Sequence, residues 1–196
     1  MSRHRGKLMF LGGLIAALAV GWLGLPIVLY ETIDQPLQFS HATHTGDLLG
    51  MDCEACHTFD EAGRFCGVPG IALCATCHEE ALGDSPAEQH LVEAFIHPNL
   101  EIPWLVYARQ PDNVFFPHAA HTVLAEISCE RCHGPHGHSD RLRPYQRNRI
   151  SGYSRDIWGS NIAGIASAPW DGMKMGDCSR CHRQRGIVES CQDCHK

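Results

Sequence analysis

Cysteine and histidine recur in this chain at a spacing suited to holding a porphyrin. The pattern Cys-x-x-Cys-His occurs five times and uses ten of the eleven cysteines. Two thiols at this spacing can each add to one vinyl group of a porphyrin, and the histidine that follows can present its imidazole to the iron. Each copy therefore predicts the attachment and the proximal ligand of one haem c. The copies are Cys53, Cys56 and His57; Cys74, Cys77 and His78; Cys129, Cys132 and His133; Cys178, Cys181 and His182; and Cys191, Cys194 and His195.

Paired cysteines are also typical of zinc sites and of redox-active dithiols. An all-cysteine zinc site uses two pairs, so an odd number of pairs does not divide into such sites. Zinc would also leave the histidine that ends every copy without a role. The five complete copies therefore favour haem attachment.

Further histidines are available as second, distal ligands. Setting aside the five proximal histidines and His4 leaves eight of the fourteen, whereas five haems need at most five. Bis-histidine ligation saturates the iron and leaves no open position for a substrate, so the supply favours electron transfer over small-molecule catalysis. Met51, Met173 and Met175 are the candidates for a His/Met haem, although packing is the commoner role of an isolated methionine. The eight histidines are His41, His44, His90, His97, His118, His121, His136 and His138.

Two attachment motifs are preceded by the same pattern, Phe-x-His-x-x-His. The first copy spans residues 39–44, upstream of the first motif, and the second spans residues 116–121, upstream of the third. Histidines three positions apart on a helical turn project from neighbouring positions, so they can serve two different irons. Each copy is therefore predicted to join two haems.

An uncharged apolar segment, residues 8–30, precedes all of these motifs. As a helix with a rise of about 1.5 Å per residue it would span roughly 34 Å, enough to cross a bilayer. Basic residues precede the segment and acidic residues follow it, so the positive-inside rule predicts residues 1–7 in the cytoplasm and a haem domain of residues 31–196 in the periplasm. A cleaved signal peptide is the alternative, because residues 17–19 have the small-x-small form of a cleavage site.

The rest of the chain has little capacity for a conventional core. About 166 residues lie beyond the apolar segment, roughly 33 for each of five haems, so the porphyrins are expected to be the core. Glycine and proline together contribute 30 residues, which predicts a mostly irregular fold with short α-helices packed around the haems. The net charge of −6 argues against nucleic acid and is compatible with docking a basic protein.

Two features of the sequence are not explained by the attachment motifs and the distal histidines. Cys66 lies outside the motifs and is a buried thiol, an intermolecular or redox-active thiol, or a single-thioether attachment point for a sixth haem; burial is the commonest role of a free cysteine. The interval between the third and fourth motifs is rich in arginine, which indicates a solvated loop, pairing with haem propionates or subunit docking. These arginines are Arg141, Arg143, Arg147, Arg149 and Arg155.

The Phe-x-His-x-x-His pattern resembles that of the class III cytochromes c and their multihaem relatives, and implies a fold of that type. By this resemblance His41 and His118 would each ligate the haem attached just downstream, while His44 and His121 would reach a second haem. The fifth distal ligand would come from the other histidines, with His97 and His136 ranked first.

Residues 8–196 as a whole resemble the multihaem cytochrome c subunit of the Qrc menaquinone reductase and alternative complex III family. The resemblance is carried by the anchor, residues 35–41, residues 62–69 and the closely paired last motifs. It implies a single-pass subunit of the cytoplasmic membrane, bound to a polytopic quinone-binding subunit and to molybdopterin-oxidoreductase-like and iron-sulfur subunits.

The resemblance also implies a role, which is to relay electrons between a soluble periplasmic cytochrome c and partner subunits that reduce menaquinone. The chain itself would not be an enzyme. In alternative complex III the flow would run from quinol, and a short quinol dehydrogenase feeding a periplasmic reductase is a further alternative that predicts four haems. A multihaem nitrite or hydroxylamine reductase would need an open iron and often a Cys-x-x-Cys-Lys motif.

The intact mass of the mature protein tests the haem count. Because each motif binds its porphyrin covalently, we expect at least five haem equivalents on the chain. A sixth equivalent that is lost in Cys66→Ser would place its attachment at Cys66. A mass with fewer than five would contradict the assignment of the motifs.

Overall fold

Short helices make up most of the regular structure in the computed structural model, which describes residues 2–154 and 174–196. Much of the remaining chain is turns and irregular segments. The described α-helices are α1 (Ser2–Ala19), α2 (Leu25–Leu29), α3 (His41–Thr45), α4 (Ile71–Ala75), α5 (Pro86–Leu91), α6 (Glu130–His133), α7 (Met175–Gln184) and α8 (Cys191–Cys194). Single π-turns lie at Val20–Gly24, Val92–Ile96 and Ala120–Leu124, and 3₁₀ turns lie at Cys53–Ala55 and Gly134–His138. This confirms the expectation of a mostly helical and irregular chain with few strands.

The apolar N-terminal segment forms a nearly continuous helix. The helix His4–Leu29 contains an 18-residue stretch with a mean hydropathy of 2.2 that is not buried against the rest of the protein, and the helix is long and apolar enough to cross a membrane. A π-turn joins α1 to α2, with the N–H of Leu25 donating to the carbonyl of Val20. Pro26 has no N–H to donate, so the regular ladder is interrupted where this π-turn lies.

A two-stranded antiparallel sheet follows this helix directly. Strand β1 (Tyr30–Ile33) pairs with β2 (Tyr145–Asn148) so that Tyr30 lies opposite Asn148. One further hydrogen bond lies beyond the last pair of the two strands, where the Arg149 N–H donates to the Leu29 carbonyl at 2.9 Å. The interval between the third and fourth motifs therefore returns to the end of the apolar helix.

The sheet also pairs charges. The Nε of Arg147 donates to Glu31 at 2.7 Å, and Arg149 lies 3.6 Å from the same carboxylate. Arg143 lies over the ring of Tyr107, with its guanidinium carbon 5.4 Å from the ring centre. These arginines thus have partners within the chain, whereas Arg155 lies outside the described residues.

The protein side chains form only a small core. Within the described parts of the chain, the buried hydrophobic residues are Leu37, Ile71, Leu91, Val92 and Ile102. Four of them form one cluster, and Cys74 of the second attachment motif packs against it. The Gln35 side chain forms two hydrogen bonds with the backbone of Leu105: its Nε2 donates to the Leu105 carbonyl, and its Oε1 accepts the Leu105 N–H. So few buried side chains cannot stabilise a domain of this size alone, which agrees with a core completed by porphyrins.

Leu37→Ala tests the contribution of this cluster. Removing a buried leucine side chain is expected to cost about 2 to 5 kcal/mol of unfolding free energy. Leu48 is 89% exposed, so Leu48→Ala is the matched control and should leave stability unchanged. Thermal unfolding of the haem-loaded protein in detergent, followed by near-UV circular dichroism, measures both; equal effects would contradict the prediction.

Candidate haem sites

Three pairs of histidines have their ring centres at the separation that one iron requires. A metal–imidazole bond is about 2.0 Å long, so two imidazoles on opposite sides of one iron place their ring centres about 6.3 Å apart. In each pair one histidine belongs to an attachment motif and the other to a Phe-x-His-x-x-His turn. The pairs are His44 with His78 at 6.2 Å, His118 with His133 at 6.4 Å, and His121 with His182 at 6.1 Å.

The first Phe-x-His-x-x-His turn is built to orient its imidazoles. Ser40 caps α3 by accepting the Thr43 N–H on its hydroxyl at 3.1 Å, and its carbonyl is 2.9 Å from Nδ1 of His44. Because a carbonyl can only accept, Nδ1 of His44 carries the proton and Nε2 keeps a free lone pair. The Phe39 ring stacks on His44 at 4.4 Å and meets His41 edge-on at 4.9 Å. The phenylalanine of the pattern thus clamps both imidazoles.

The second turn repeats these contacts. Nδ1 of His121 donates to the Pro117 carbonyl at 2.9 Å, which again leaves Nε2 free. Phe116 stacks on His121 at 4.4 Å and meets His118 edge-on at 4.9 Å. The agreement between the two turns indicates that the duplicated sequence encodes a duplicated ligand geometry.

Three proximal histidines are held by partners that the sequence did not reveal. His57 donates from Nδ1 to the Gly67 carbonyl at 2.9 Å. His78 and His182 instead place Nδ1 against carboxylates, 2.8 Å from Glu88 and 2.5 Å from Glu189. The only sequence signal was a glutamate downstream of each of these two motifs, ten residues after His78 and seven residues after His182.

Both carboxylates are held in the ionised form. Hydrogen bonding to Glu88, first from the Leu82 N–H and then from His78, lowers the pKa of its carboxyl. Hydrogen bonding from the side chains of Ser179 and His182 lowers the pKa of Glu189. An ionised carboxylate can only accept, so Nδ1 is protonated in both histidines and Nε2 is available to a metal.

Two imidazoles are close to the first motif. The ring centres of His41 and His136 lie 4.7 Å apart. Burial, followed by repulsion from His136, His57 and His44, lowers the pKa of His41 to about 4, so its ring is neutral, as a metal ligand must be. Among the buried side-chain nitrogens and oxygens that the structure describes, His41 Nδ1 is the one without a hydrogen-bond partner. His136 therefore lies beside His41, close to the first motif.

The fifth motif is attached to the start of the second Phe-x-His-x-x-His turn. The Phe115 N–H donates to the Cys194 carbonyl at 2.7 Å, and Val114 bridges to His195. No ring contact within residues 2–154 and 174–196 brings a second imidazole to His195. The structure thus offers this motif a backbone support and no evident distal histidine in its described part.

The other predicted ligands lie elsewhere. His97 is half exposed and 3.7 Å from Glu80, and Nε2 of His138 is engaged by Glu130 at 3.0 Å. Met175 is exposed at the start of α7. The Met51 N–H donates to the His44 carbonyl, and Met173 lies outside the described residues.

Thiols of different motifs lie close enough to affect one another's pKa. Burial raises the pKa of Cys53, and the Cys129 thiol raises it further. Burial and the thiol of another motif likewise raise the pKa values of Cys74, Cys132 and Cys178. Phe65 also stacks between His57 at 6.2 Å and His118 at 4.2 Å. The neighbouring pairs are Cys74 with Cys56, Cys53 with Cys129, Cys132 with Cys181 and Cys178 with Cys194.

Cys66 is exposed, so burial, the favoured interpretation of this thiol, is wrong. Its N–H donates to the Thr58 carbonyl at 2.9 Å, and its sulfur lies 3.7 Å from the Arg64 carbonyl. Phe59 and Phe65 form an isolated β-bridge that closes a short polar loop, and the Cys66 side chain that follows this loop is exposed to solvent. Cys66 precedes Gly67, whose carbonyl orients His57.

These residues fit haem c. All eleven cysteines are free of disulfides, and the histidines of three motifs each have a second imidazole at the required ring-centre distance. Within the described residues no group of three or more His, Cys, Asp or Glu side chains converges on one point to hold a metal ion directly. These histidines would therefore hold the iron of a haem through two imidazoles, and the porphyrin would supply its remaining ligands.

Comparison with known proteins agrees with this chemistry. No protein-family model matches the chain. The chain is 37% identical to the menaquinone reductase multihaem cytochrome c subunit of Nitratidesulfovibrio vulgaris, over 97% of its own length and 90% of that protein. Identity at this level over nearly the full length of both proteins shows common ancestry. The chain belongs to the family of multihaem cytochrome c subunits of menaquinone reductase.

Proposed function

We propose that this chain relays electrons from a soluble periplasmic cytochrome c to partner subunits that reduce menaquinone. The observation that carries the proposal is the set of three facing imidazole pairs, with ring centres 6.1 to 6.4 Å apart. Haem iron held in this way changes between two oxidation states by one electron and offers no position to a substrate. The relative's name supports menaquinone reduction over quinol oxidation.

The ligands can be assigned from these contacts. His78 with His44, His133 with His118, and His182 with His121 form three bis-histidine sites. His57 supplies the proximal ligand of the first site, with His41 as its distal ligand and His136 as the competitor. His195 supplies the proximal ligand of the fifth. Each Phe-x-His-x-x-His turn thereby serves the motif just downstream and the motif after it.

The neighbouring thiols support a linear order of sites. Cys74 with Cys56 joins the second site to the first, and Cys53 with Cys129 joins the first to the third. Cys132 with Cys181, and Cys178 with Cys194, continue the row to the fourth and fifth sites. Thiols that attach porphyrin edges and lie close enough to affect one another's pKa would keep those edges near one another. The relay is therefore proposed to run 2-1-3-4-5, with the second and fifth sites at its ends.

The helix at His4–Leu29 is proposed as a single-pass anchor in the cytoplasmic membrane, with residues 31–196 in the periplasm. The anchor would place the haem row beside a polytopic quinone-binding subunit, with molybdopterin-oxidoreductase-like and iron-sulfur subunits as further partners. The five motifs support five haems, and the exposed Cys66 is the place where a sixth would attach.

His44→Ala and His121→Ala test the distal assignments. Each substitution removes one axial imidazole, so the reduced protein should bind about one more equivalent of carbon monoxide than the native protein. His138→Ala is the matched control, since Nε2 of His138 is already engaged by Glu130. Optical titration of the purified full-length protein gives the stoichiometry. Unchanged carbon monoxide binding in both variants would contradict the assignments.

Purification from the native membrane in mild detergent tests the place of the chain in a complex. We expect integral-membrane and molybdopterin-oxidoreductase-like subunits to copurify with the chain. The purified complex should then reduce a menaquinone analogue with electrons from the reduced soluble periplasmic cytochrome c. Isolation of the chain without such partners would contradict the proposed complex.

A further inference from the structure

The proximal histidines of the second and fourth sites differ from that of the first site in the charge of their partner. Nδ1 of His78 lies 2.8 Å from Glu88, and Nδ1 of His182 lies 2.5 Å from Glu189. The corresponding nitrogen of His57 donates to the neutral carbonyl of Gly67. Two sites therefore have a formal negative charge one imidazole away from the iron position, and the first has a dipole.

The two carboxylates are positioned by unrelated local structure. Glu88 lies in the first turn of α5 and also accepts the Leu82 N–H at 2.9 Å. Glu189 comes directly before Ser190, which caps α8. Their side chains are only 16% and 27% exposed, so each contact is partly shielded from water. The same contact is thus formed twice by different local structures, at the second and the fourth motif.

We propose that Glu88 and Glu189 are positioning residues that lower the reduction potentials of the second and fourth haem sites below that of the first. A carboxylate that accepts the Nδ1 proton makes the imidazole a stronger electron donor, which favours the ferric state. Its negative charge acts in the same direction, because reduction removes one positive charge from the iron. The inference rests on the proposed ligation by His78 and His182.

This pattern has a consequence for electron flow along the proposed row. Each reduction adds one electron and changes no bond, so the relative potentials decide where electrons reside. In the order 2-1-3-4-5, the carboxylate sites lie on either side of the first and third sites. An electron that enters at the second site then passes downhill to the first.

The test is a spectroelectrochemical titration of the purified full-length protein carrying Glu88→Gln, Glu189→Gln or both. Glutamine keeps the side-chain shape and removes the charge. In each single variant we expect the equilibrium constant for reduction of one haem to increase at least tenfold. For a one-electron couple this is a rise of about 59 mV in the reduction potential. The double variant should show two such haems. Glu80→Gln is the matched control, because Glu80 is 80% exposed, close to the second motif in sequence, and outside the Nδ1 contacts.

The outcomes separate this inference from the proposed function. The inference would be overturned if the reduction potentials in Glu88→Gln and Glu189→Gln rise no more than in Glu80→Gln, or fall, while the ferric low-spin spectrum is retained. That outcome would leave the proposed relay intact. A native protein whose second and fourth haems are high-spin would contradict the ligation, and with it the proposed function. If Glu88→Gln does not mature, Glu189→Gln carries the test alone, because its contact is built by a separate loop.

Discussion

Axial ligation is the constraint on which the rest of this structure depends. An iron bound on both faces by imidazole needs two rings whose centres are about 6.3 Å apart and whose facing nitrogens carry no proton. The short helices, capped turns and stacked phenylalanines all act on those two requirements. His44 and His121 show how: each ring is stacked by a phenylalanine and has its Nδ1 proton fixed by a backbone carbonyl four residues earlier.

The same constraint explains why the protein core is so small. Only one cluster of hydrophobic side chains is buried in the part of the chain that the structure describes, and it packs against Cys74 of the second motif. Contacts between sites are instead made by thiols of neighbouring motifs and by rings such as Phe65. In the proposed arrangement the polypeptide wraps a row of haems, and those haems supply the apolar volume that a conventional domain obtains from its own side chains.

Electrostatics then distinguish sites that share one motif. The imidazoles of His57, His78 and His182 have the same sequence context, yet one donates to a carbonyl and two face carboxylates. Arg147 and Arg149 are paired with Glu31 where the chain leaves the apolar helix. Identical attachment chemistry can thus give different redox behaviour, because the outer partner of the histidine is set by a loop that the motif does not include.

The sequence by itself determined the attachment chemistry, the apolar helix, the mostly irregular fold and the family, because these depend on residues close together in the chain or on composition. A five-residue motif contains both thiols and the proximal imidazole, so no fold is needed to recognise it. The duplicated Phe-x-His-x-x-His turn was likewise visible, and its phenylalanines gained a role only when their rings were seen to stack on the histidines.

Only the tertiary structure decided which imidazoles face one another, which thiols adjoin, and what accepts each Nδ1 proton. It also placed His136 beside His41, exposed Cys66, and paired β1 with β2. These contacts join residues far apart in the chain, and their formation depends on how the loops pack. No periodicity or spacing reports them, because a loop can bring a carbonyl or a carboxylate to the same histidine with no change in the motif itself.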